Sequence, residues 1–574
     1  MSGIGHRHIL FRHVGRVFTV SDQFIASGAG CSRSYFRFAA DGPPAGGEDG
    51  RAMIADMGAP QIVIVELVED CRGRPDCAVR AERPADAQAE DEIRRAGQSS
   101  LPEGGPSALQ SDQLPSRDAP AHDVTSLYDK DGWKLRWYFQ GGLNLVSETN
   151  LFWDFASVYA PDAKFNSDQT WLEGYVKPGI GFDKTFADGN VFYGKLSGVA
   201  SRTWGTDAFD ARNKGAVTLE EAYLGFRTTN QPTTFDVSLG PRELQLGSGM
   251  LIANGGTSGF DRGALKFGPR KAWKQAAIAR VKNGRQTITG YFIEPNELPS
   301  NDGNNQLAGS DVRYDTPEGD FVGFTYVNVL RSSSPYIRAA AGGLGEPTII
   351  PDGRDHLNAI NLYFNATGHS GAVRNWFVTG DLAYEWNNRI NMSAWAARAQ
   401  IGHNFADLPW TPTLSYTFKI FSGDDPTTPK LERFDPLYYE GSPGAWATGS
   451  KSSMVFINSN LRALELALAV QPSKKDALTL RYAYINVDKL ASPIQFGQAT
   501  RLVSTPSGFN LIAGVTRPHL SDDIFLEYNH VFSQNVFLTA GVSASFPGAG
   551  IKAAFPDKSP PIWSGAFVNV VVNY

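Results

Sequence analysis

Basic side chains recur at alternate positions of apolar, aromatic-rich segments in this sequence, interspersed with fewer acidic ones. In residues 133–140, for example, Lys134 and Arg136 alternate with Trp133 and Trp137. Arginines grouped around a narrow, low-dielectric passage attract anions and repel cations, and neighbouring acids keep a solute from binding too tightly to leave. The pattern therefore predicts a basic, anion-attracting surface. The candidate residues are Arg136, Lys195, Arg242, Arg280, Arg285, Arg398, Lys419, Arg481, Glu465 and Glu527.

Two other interpretations of these residues stay open. Charges on neighbouring segments can pair with each other and stiffen a wall, and this applies to some of the set. A hydrolase would need a nucleophile beside a base, but no histidine of the main body lies in a nucleophile motif such as GxSxG. We therefore expect no enzymatic activity. The histidines considered are His356, His369, His403, His519 and His530.

Three aspartates, Asp424, Asp425 and Asp435, form a separate candidate group. Loop carboxylates suit Ca²⁺, which prefers oxygen ligands, although acidic loops are also commonly just solvated. All three cysteines lie within the first 77 residues, so the main body has neither a disulfide framework nor a CxxC metal site. No cofactor is predicted beyond the calcium alternative.

A period of two in the apolar residues indicates the elements that position these side chains. In residues 568–574, for example, Val568, Val570, Val572 and Tyr574 lie on one face. The alternation predicts eighteen strands, an even number as bacterial barrels require. They are expected at 133–146, 169–184, 190–203, 216–228, 232–246, 273–282, 285–294, 309–316, 320–331, 355–367, 372–387, 394–405, 411–423, 457–470, 476–487, 522–532, 535–547 and 564–574.

The connections between these strands alternate between short turns and long loops. Asn283-Gly284 and the turn at 317–319 are hairpin signals, whereas the intervening connections, such as 247–272 and 424–456, are mostly much longer. Outer-membrane barrels divide periplasm from exterior in this way, and a soluble β-sandwich, the alternative, has no reason to do so. The sequence predicts an all-β fold: one closed antiparallel transmembrane β-barrel of about eighteen strands, which is too wide for side chains to fill.

The bulk composition agrees with this fold class. The chain has 574 residues, a formal charge of −6 and 12% aromatic residues, and it contains no run of eighteen apolar residues that would predict a transmembrane helix. Tyr and Trp cluster toward strand ends, as in the interfacial girdles of membrane barrels.

Residues 1–125 differ in composition from residues 126–574. They contain thirteen arginines and no lysine, whereas the remainder carries nineteen lysines. Their low hydrophobicity predicts a largely disordered extension. A signal peptide is not predicted, because the first residues do not show a basic n-region followed by an apolar core. We expect either a start codon assigned too far upstream or a disordered periplasmic extension, so the domains are predicted as 1–125 and 126–574.

Two short motifs carry a resemblance to a known family. Residues 240–244 with the Gly-rich run 246–253, and residues 434–438 after Asp424-Asp425, are similar to segments of the alginate export porin family. That family forms 18-stranded outer-membrane barrels, and its type member conducts an anionic uronate polysaccharide through an electropositive pore. The resemblance implies that Arg242, Asp435 and Pro436 occupy its motif positions. Pro241 splits the Gly-Arg pair of the family's strand motif.

The predicted function is an outer-membrane channel that passes anionic solutes, such as alginate, by passive diffusion through a basic lumen. A general or small-solute porin, and an outer-membrane hydrolase, are the alternatives. Expected partners are outer-membrane lipid and lipopolysaccharide, an anionic sugar substrate and the barrel assembly machinery, with no nucleic acid. The chain is expected to be a monomer.

Overall fold

The structure is a computed structural model, and it divides into two compact units, 1–91 with 156–165 and 92–155 with 166–574. It describes residues 8–13, 16–21, 37–39, 126–228, 232–256, 262–299, 302–439, 455–456, 458–494, 501–506 and 508–574. In the second unit eighteen antiparallel strands close into a barrel. The fold class predicted from the sequence is confirmed.

The barrel strands are named β1 to β18 in chain order. Their bounds are β1 Trp133–Thr149, β2 Gln169–Thr185, β3 Val191–Trp204, β4 Gly215–Arg227, β5 Thr233–Leu239, β6 Gln275–Asn283, β7 Gln286–Glu294, β8 Gln306–Asp315, β9 Phe321–Arg331, β10 Asn358–Thr367, β11 Trp376–Asn387, β12 Met392–Asn404, β13 Thr413–Phe421, β14 Leu461–Ser473, β15 Asp476–Val487, β16 His519–Ser533, β17 Val536–Pro547 and β18 Trp563–Asn573.

Alternate side chains of each strand face opposite sides of the barrel wall, as the pleat requires. In β1, Leu143 and Leu145 are 57% and 53% exposed, whereas the intervening Asn144 and the following Val146 are buried. Exposed Leu, Phe, Tyr, Trp and Val side chains recur at the same parity around the barrel. This apolar outer surface suits lipid.

The barrel closes where β18 pairs with β1, with Val570 opposite Leu143. At the end of this seam, the backbones of Tyr574 and Phe139 exchange two hydrogen bonds of 2.7 and 2.8 Å. Beyond that point the short strand Ser126–Lys130 pairs with residues 133–136 of β1. The edge of β1 is therefore paired along nearly its whole length.

Every second connection is a short turn on the side of the barrel where both β1 begins and β18 ends. The β6–β7 turn consists of Gly284 and Arg285 only, and Gly284 has the positive φ of +56° that glycine adopts without strain. On the opposite side most connections are long, up to 240–274 and 422–460, although residues 388–391 are a short exception. The predicted alternation is confirmed.

Several predicted strand limits are wrong, and β5 differs most. The sequence predicts a strand to residue 246, but β5 ends at Leu239. Gly240 has φ +115°, and a Cβ atom there would lie 2.3 Å from the carbonyl oxygen of Ala222. The chain leaves the sheet at this glycine because only glycine tolerates both the dihedral and the close approach.

The first unit contributes short elements. Strands His8–His13, Arg16–Ser21 and Arg37–Ala39 form an antiparallel three-stranded sheet that the sequence analysis does not predict. A short helix, Ala156–Tyr159, belongs to the same unit. The rest of the predicted extension 1–125 lies outside the described residues. Among the residues that the structure describes, no helix is long and apolar enough to cross a membrane.

Candidate functional site

The β5–β6 connection folds into the barrel instead of projecting from it. We call its first half, residues 240–256, the lumen segment. Gly247 of this segment packs against the ring of Tyr363, a buried inward side chain of β10, so closely that a Cβ atom would lie 2.7 Å from it. Next to it, the Ser248 hydroxyl donates a hydrogen bond to the Asp381 carboxylate in the middle of β11. The segment thus reaches the wall opposite its own strand.

The second half of the same connection, residues 262–274, returns along the wall formed by β1 to β4. The carboxylate of Glu173 on β2 accepts hydrogen bonds from the backbone N–H groups of Lys266 and Phe267, at 2.8 and 3.2 Å. Glu220 on β4 similarly accepts from the N–H of Lys271 at 2.7 Å. Because each carboxylate satisfies loop donors that would otherwise be buried without a partner, these wall acids hold the loop inside the barrel.

Two cations complete this attachment. The Lys266 ammonium lies 3.5 Å from Glu148 of β1 and is 1% exposed. The Arg270 guanidinium is also buried, and it donates to the hydroxyls of Ser201 and Thr218 at 2.9 and 2.8 Å. Burial, followed by the neighbouring charge of Arg262, lowers the pKa of Arg270 to about 10.

The two sequence motifs that resemble the alginate export family meet inside the barrel. Ile252 of the lumen segment forms a parallel bridge with Tyr438. The N–H of Tyr438 donates to the carbonyl of Leu251 at 3.0 Å, and its own carbonyl accepts from Ala253 at 2.7 Å. The hydroxyl of Tyr438 donates to Glu297 at 3.0 Å. The motifs, more than 180 residues apart in the chain, therefore form one inward-folded structure.

A bidentate ion pair fixes the second motif. Arg354 donates from Nε and from a terminal nitrogen to the two carboxylate oxygens of Asp435, both at 2.7 Å. The backbone N–H of Asp435 in turn donates to Glu385 of β11 at 2.8 Å. Burial raises the pKa of Asp435, but the charge and hydrogen bonds of Arg354, together with the N–H of Leu437 and the charge of Arg433, hold this pKa below its usual value. Asp435 therefore has a structural role in this arrangement.

The lumen segment is also attached to the wall near its own strand. The Lys177 ammonium of β2 lies 2.6 Å from Glu243 and 3.4 Å from Glu220. Burial raises the pKa of Glu243, but the charge and hydrogen bond of Lys177, together with the charges of Lys271 and Lys195, lower the pKa to about 2. Glu243 therefore stays ionised at any physiological pH.

Three inward arginines, Arg227, Arg242 and Arg280, surround Tyr193 and Tyr223, and we call these five residues the arginine–tyrosine cluster. The Arg242 guanidinium lies 4.3 Å from the ring centre of Tyr223, and that of Arg227 lies 5.6 Å from the ring centre of Tyr193. Within the described part of the chain, no ion pair within 4 Å joins any of the three arginines to a carboxylate. The three arginines therefore outnumber the neighbouring acid Asp236, and the cluster presents a net positive charge to the lumen.

Hydroxyl groups and one acid support this cluster. Arg242 donates to the Ser238 hydroxyl at 2.6 Å, and Arg280 donates weakly to Thr289 at 3.4 Å. Asp236 lies opposite both Arg227 and Arg280 in register, but its carboxylate accepts the hydroxyl hydrogen of Tyr193. The arginines are thus positioned mainly by neutral groups.

A second set of inward charges crosses β11 to β16, and we call it the charge ladder. Arg398 lies 2.5 Å from Asp381, Lys419 lies 3.5 Å from Glu465, and Arg481 lies 3.7 Å from Glu527. Each cation has its own acid. The members, all buried or nearly so, are Asp381, Arg398, Lys419, Glu465, Arg481 and Glu527.

The lumen segment covers part of this ladder. A small cavity of about 10 Å³ separates Ser248, Gly249 and Met250 from Arg398 and Lys419. Lys419 is only 1% exposed and its partner Glu465 only 3%. These charges therefore face inward, as the alternation predicts, but they are shielded from solvent.

The remaining predicted site residues occupy other parts of the wall. Arg136 pairs with Asp183, and Lys195 pairs with Glu221 at 2.6 Å. Arg285 was predicted on a strand, and this placement is wrong: it lies exposed in the two-residue β6–β7 turn at the rim, because β7 begins one residue later.

The sequence analysis missed the two tyrosines of the arginine–tyrosine cluster. Tyr193 lies two residues before the candidate Lys195, and Tyr223 lies two residues after Glu221. The alternation that placed the charged residues inward applies equally to these tyrosines. An inventory of aromatic residues at inward positions would therefore have found them.

The acidic loop residues lie in different surroundings. Asp424 accepts from the Tyr336 hydroxyl at 2.7 Å and from the Glu432 N–H at 2.5 Å. Asp425 accepts hydrogen bonds from the backbone N–H and the hydroxyl of Thr427, which lower its pKa. Pro436 follows Asp435 in the motif. The described residues contain no group of three or more His, Cys, Asp or Glu side chains able to hold a metal ion.

Comparison with known proteins yields one family and several solved structures. The alginate export family matches residues 344–564, from the β9–β10 connection to the start of β18. No curated protein matches. Similar solved structures include Salmonella typhi OmpF in complex with daunomycin, with 11% identity, 78% of this chain and 99% of that chain covered, and a TM-score of 0.38. Pseudomonas aeruginosa OccK2 (OpdF) in complex with glucuronate has 9% identity, coverages of 76% and 96%, and a TM-score of 0.44.

The closed barrel, its apolar outer surface and its charged inner surface define a porin-like channel of the bacterial outer membrane. Within this class, residues 344–564 match the alginate export family. The resemblance noted from the sequence motifs is confirmed, and the second of the two motifs lies within the matched residues.

Proposed function

We propose that the channel passes an anionic oligosaccharide or polysaccharide, such as a uronate chain, by passive diffusion along the arginine–tyrosine cluster. The observation that carries this proposal is the set of three inward arginines, Arg227, Arg242 and Arg280, without a carboxylate partner among the described residues. Among the other basic residues that the sequence singled out, Arg285 lies in a turn at the rim, and those on the described wall, such as Lys195 and Lys419, each have an acid within 4 Å.

Uncompensated arginines dominate the energy of a passing carboxylate. At an effective dielectric constant of about 20, two unit charges about 4 Å apart interact by roughly 4 kcal/mol. A guanidinium also matches a carboxylate with two parallel hydrogen bonds. Arg242 and Arg227 are held over tyrosine rings, which restricts their motion without neutralising them. A chain of carboxylates would therefore find successive sites along this wall.

The nearby acids and aromatic rings fit a mobile sugar ligand. Asp236, between Arg227 and Arg280, limits how tightly an anion binds, which a conducting pore needs. Tyrosine combines a large apolar ring with a polar hydroxyl, and a pyranose ring offers both apolar C–H groups and hydroxyls. The cluster therefore combines groups that recognise the charge and the ring of a uronate.

Reversal potentials in planar bilayers test this proposal. The native channel should favour anions at low salt, and the variant Arg227→Gln/Arg242→Gln/Arg280→Gln should lose most of that preference. Lys430→Gln, which removes an exposed loop cation, should change little. Because the Debye length is about 10 Å at 0.1 M and about 3 Å at 1 M, anion preference should also fall with salt.

Current block distinguishes a sugar channel from a general porin. An oligouronate should block the native channel at lower concentrations than a neutral oligosaccharide of equal length, and the triple variant should abolish this difference. Cation selectivity of the native channel at low salt, or equal block by both sugars, would contradict the proposal and favour a general porin.

A further inference from the structure

The outer surface of the barrel carries an apolar groove next to the closing seam. It has a volume of about 500 Å³ and runs across β18, β1, β2 and β3. Its floor includes Gly141, Gly174 and Ala200, and its sides include Leu143 and Trp204. Since Leu143 and Trp204 are among the exposed side chains of the outer face, the groove opens toward lipid and not toward the lumen.

The groove exists because β1, β2 and β3 each carry a small residue at an outward position, and Gly141 and Ala200 both lie opposite Val176. Gly174 lies opposite both Leu143 and Arg202 in the strand register. A Cβ atom on Gly174 would lie 3.0 Å from the Leu143 side chain and 3.0 Å from the Trp204 ring. Trp204 and Leu143 therefore lean over the glycine and form the upper border of the groove.

One charged residue, Arg202, lines this apolar groove. Its neighbours Ser201 and Thr203 are buried on the inner face, where their hydroxyls bond to the β5–β6 connection. Arg202 consequently faces outward, two residues below the loop end of β3 at Trp204. A charge on the lipid face is costly except near the membrane surface, and a long arginine side chain can reach that surface while its stem stays in the apolar layer.

Two further cations lie in the connection that follows β3. Lys214 and Arg212 are exposed in the β3–β4 connection, and Gly215, next to Lys214, is paired with Arg202. No ion pair joins Arg202, Arg212 or Lys214 to a carboxylate of the residues that the structure describes. Arg202 therefore gives the loop end of the groove a positive charge, while the other residues that line the groove are uncharged.

We propose that this groove binds a phosphorylated glycolipid of the outer leaflet, a lipid of the lipid A type. One acyl chain lies over Gly141 and Ala200, beside Leu143 and Trp204, and a phosphate binds Arg202 at the level of Trp204. The order of apolar floor and basic rim matches the order of acyl chain and anionic headgroup in such a lipid. A second copy of this chain fits less well, because a two-fold interface would bring the same cations together.

Native mass spectrometry of the detergent-extracted full chain tests the proposal. The probes are bis-phosphorylated lipid A, the same lipid with its phosphates removed, and phosphatidylethanolamine. The native protein should retain one bis-phosphorylated lipid and prefer it by about tenfold, as expected for a charge-assisted bond in an apolar setting. Arg202→Gln should remove the preference for phosphate.

A groove-filling variant and a matched arginine variant complete the design. Ala200→Phe places a ring on the floor of the groove and should reduce retention of every acylated probe. Arg462→Gln should leave binding unchanged, because Arg462 is an outward arginine at the loop end of β14 that already has a carboxylate partner, Asp488, at 2.6 Å. Heat-modifiable migration on gels verifies that each variant is folded.

Three outcomes would overturn the lipid site. One is equal retention of the phosphorylated and dephosphorylated lipids by the native protein. Another is unchanged binding by folded Arg202→Gln. The third is a native dimer that Ala200→Phe dissociates without loss of lipid, which would make the groove an interface between copies. If Ala200→Phe does not fold, the retention of phosphorylated lipid by Arg202→Gln and by Arg462→Gln still tests whether Arg202 binds the phosphate.

Discussion

The arginine–tyrosine cluster and the charge ladder place arginine on the same inner surface in two different settings. In the cluster, Arg242 rests on the ring of Tyr223. In the ladder, Arg398 lies 2.5 Å from Asp381. The ladder lies within the residues that match the alginate export family, whereas the cluster precedes them. Under the proposed function, selectivity depends on the inward cations that lack an acid, and the total number of inward cations says little about it.

Solvent access explains why the two settings differ. Buried charges need a partner because desolvation is expensive, and the lumen segment shields Arg398 and Lys419 from water. Arg280, in contrast, is exposed and its charge can be solvated. Pairing is therefore obligatory under the lumen segment and optional in the open part of the lumen.

The largest expected effect comes from breaking one buried pair of the ladder. Glu465→Gln leaves the Lys419 ammonium buried without its counter-ion, and such losses destabilise proteins by about 3–5 kcal/mol. Urea unfolding of the folded barrel in detergent measures this change. The ion selectivity of the variant channel should remain that of the native protein, because the cluster is untouched.

The matched control is Lys134→Gln, which removes one partner of an exposed pair between β1 and the short strand Ser126–Lys130. Lys134 lies 3.7 Å from Asp129, and its side chain is 52% exposed. Exposed pairs contribute about 0–1 kcal/mol, so the midpoint of unfolding should hardly move. Equal destabilisation by both variants would contradict the distinction between shielded and open charges.

A smaller effect is expected from releasing the inward loop. Glu173→Leu removes the acceptor for the N–H groups of Lys266 and Phe267, and an unsatisfied buried donor costs about 1–3 kcal/mol. The loop should then leave the wall part of the time, so single-channel recordings should show larger or noisier conductance. Glu318→Leu, in the short β8–β9 turn, is the control. A conductance in Glu173→Leu as large and as quiet as in the native channel would contradict this expectation, because the remaining contacts would then suffice to hold the loop against the wall.

The smallest effect is expected for the Lys177–Glu243 pair, because Glu243 is partly exposed. Its folded pKa of about 2 lies below the usual value for glutamate, about 4.3. The pair therefore stabilises the folded protein fully at pH values above the usual pKa of glutamate. This contribution is lost as the pH falls through about 2.

Thermal unfolding of the native protein and of Glu243→Gln at several pH values measures this contribution. The difference between the two melting temperatures should be constant from pH 7 to pH 5 and should shrink toward zero as the pH approaches 2. A difference that vanishes already at pH 4 would show that Lys177 does not hold Glu243 ionised.

The strands could be predicted from the sequence because lipid imposes a strict rule on them. Each strand must present apolar side chains outward, so the period of two appears in every strand, and the turns mark the register. The same rule predicts which residues face inward, and it predicts an inward position for both Arg242 and Lys419. Whether an inward charge is covered depends on contacts across the lumen, such as the hydrogen bond between Ser248 and Asp381, which are distant in the chain.

The inward fold of the β5–β6 connection could not be predicted for a related reason. Its attachment depends on acceptors such as Glu173, which is 93 residues away from Lys266, and no periodic pattern reports such a pairing. Gly240 was a signal, but a glycine after a strand can equally begin an outward loop.

The seam between β18 and β1 determines the order in which the barrel can form. Trp563 of β18 donates to Glu148 of β1 across a separation of 415 residues, and the entropy cost of closing a loop rises with its length. Neighbouring hairpins are closed by turns of a few residues, so they form at lower entropic cost. Ring closure is thus the slowest kind of contact in the molecule, and until it forms, the edges of β1 and β18 are open to pairing with any other exposed strand.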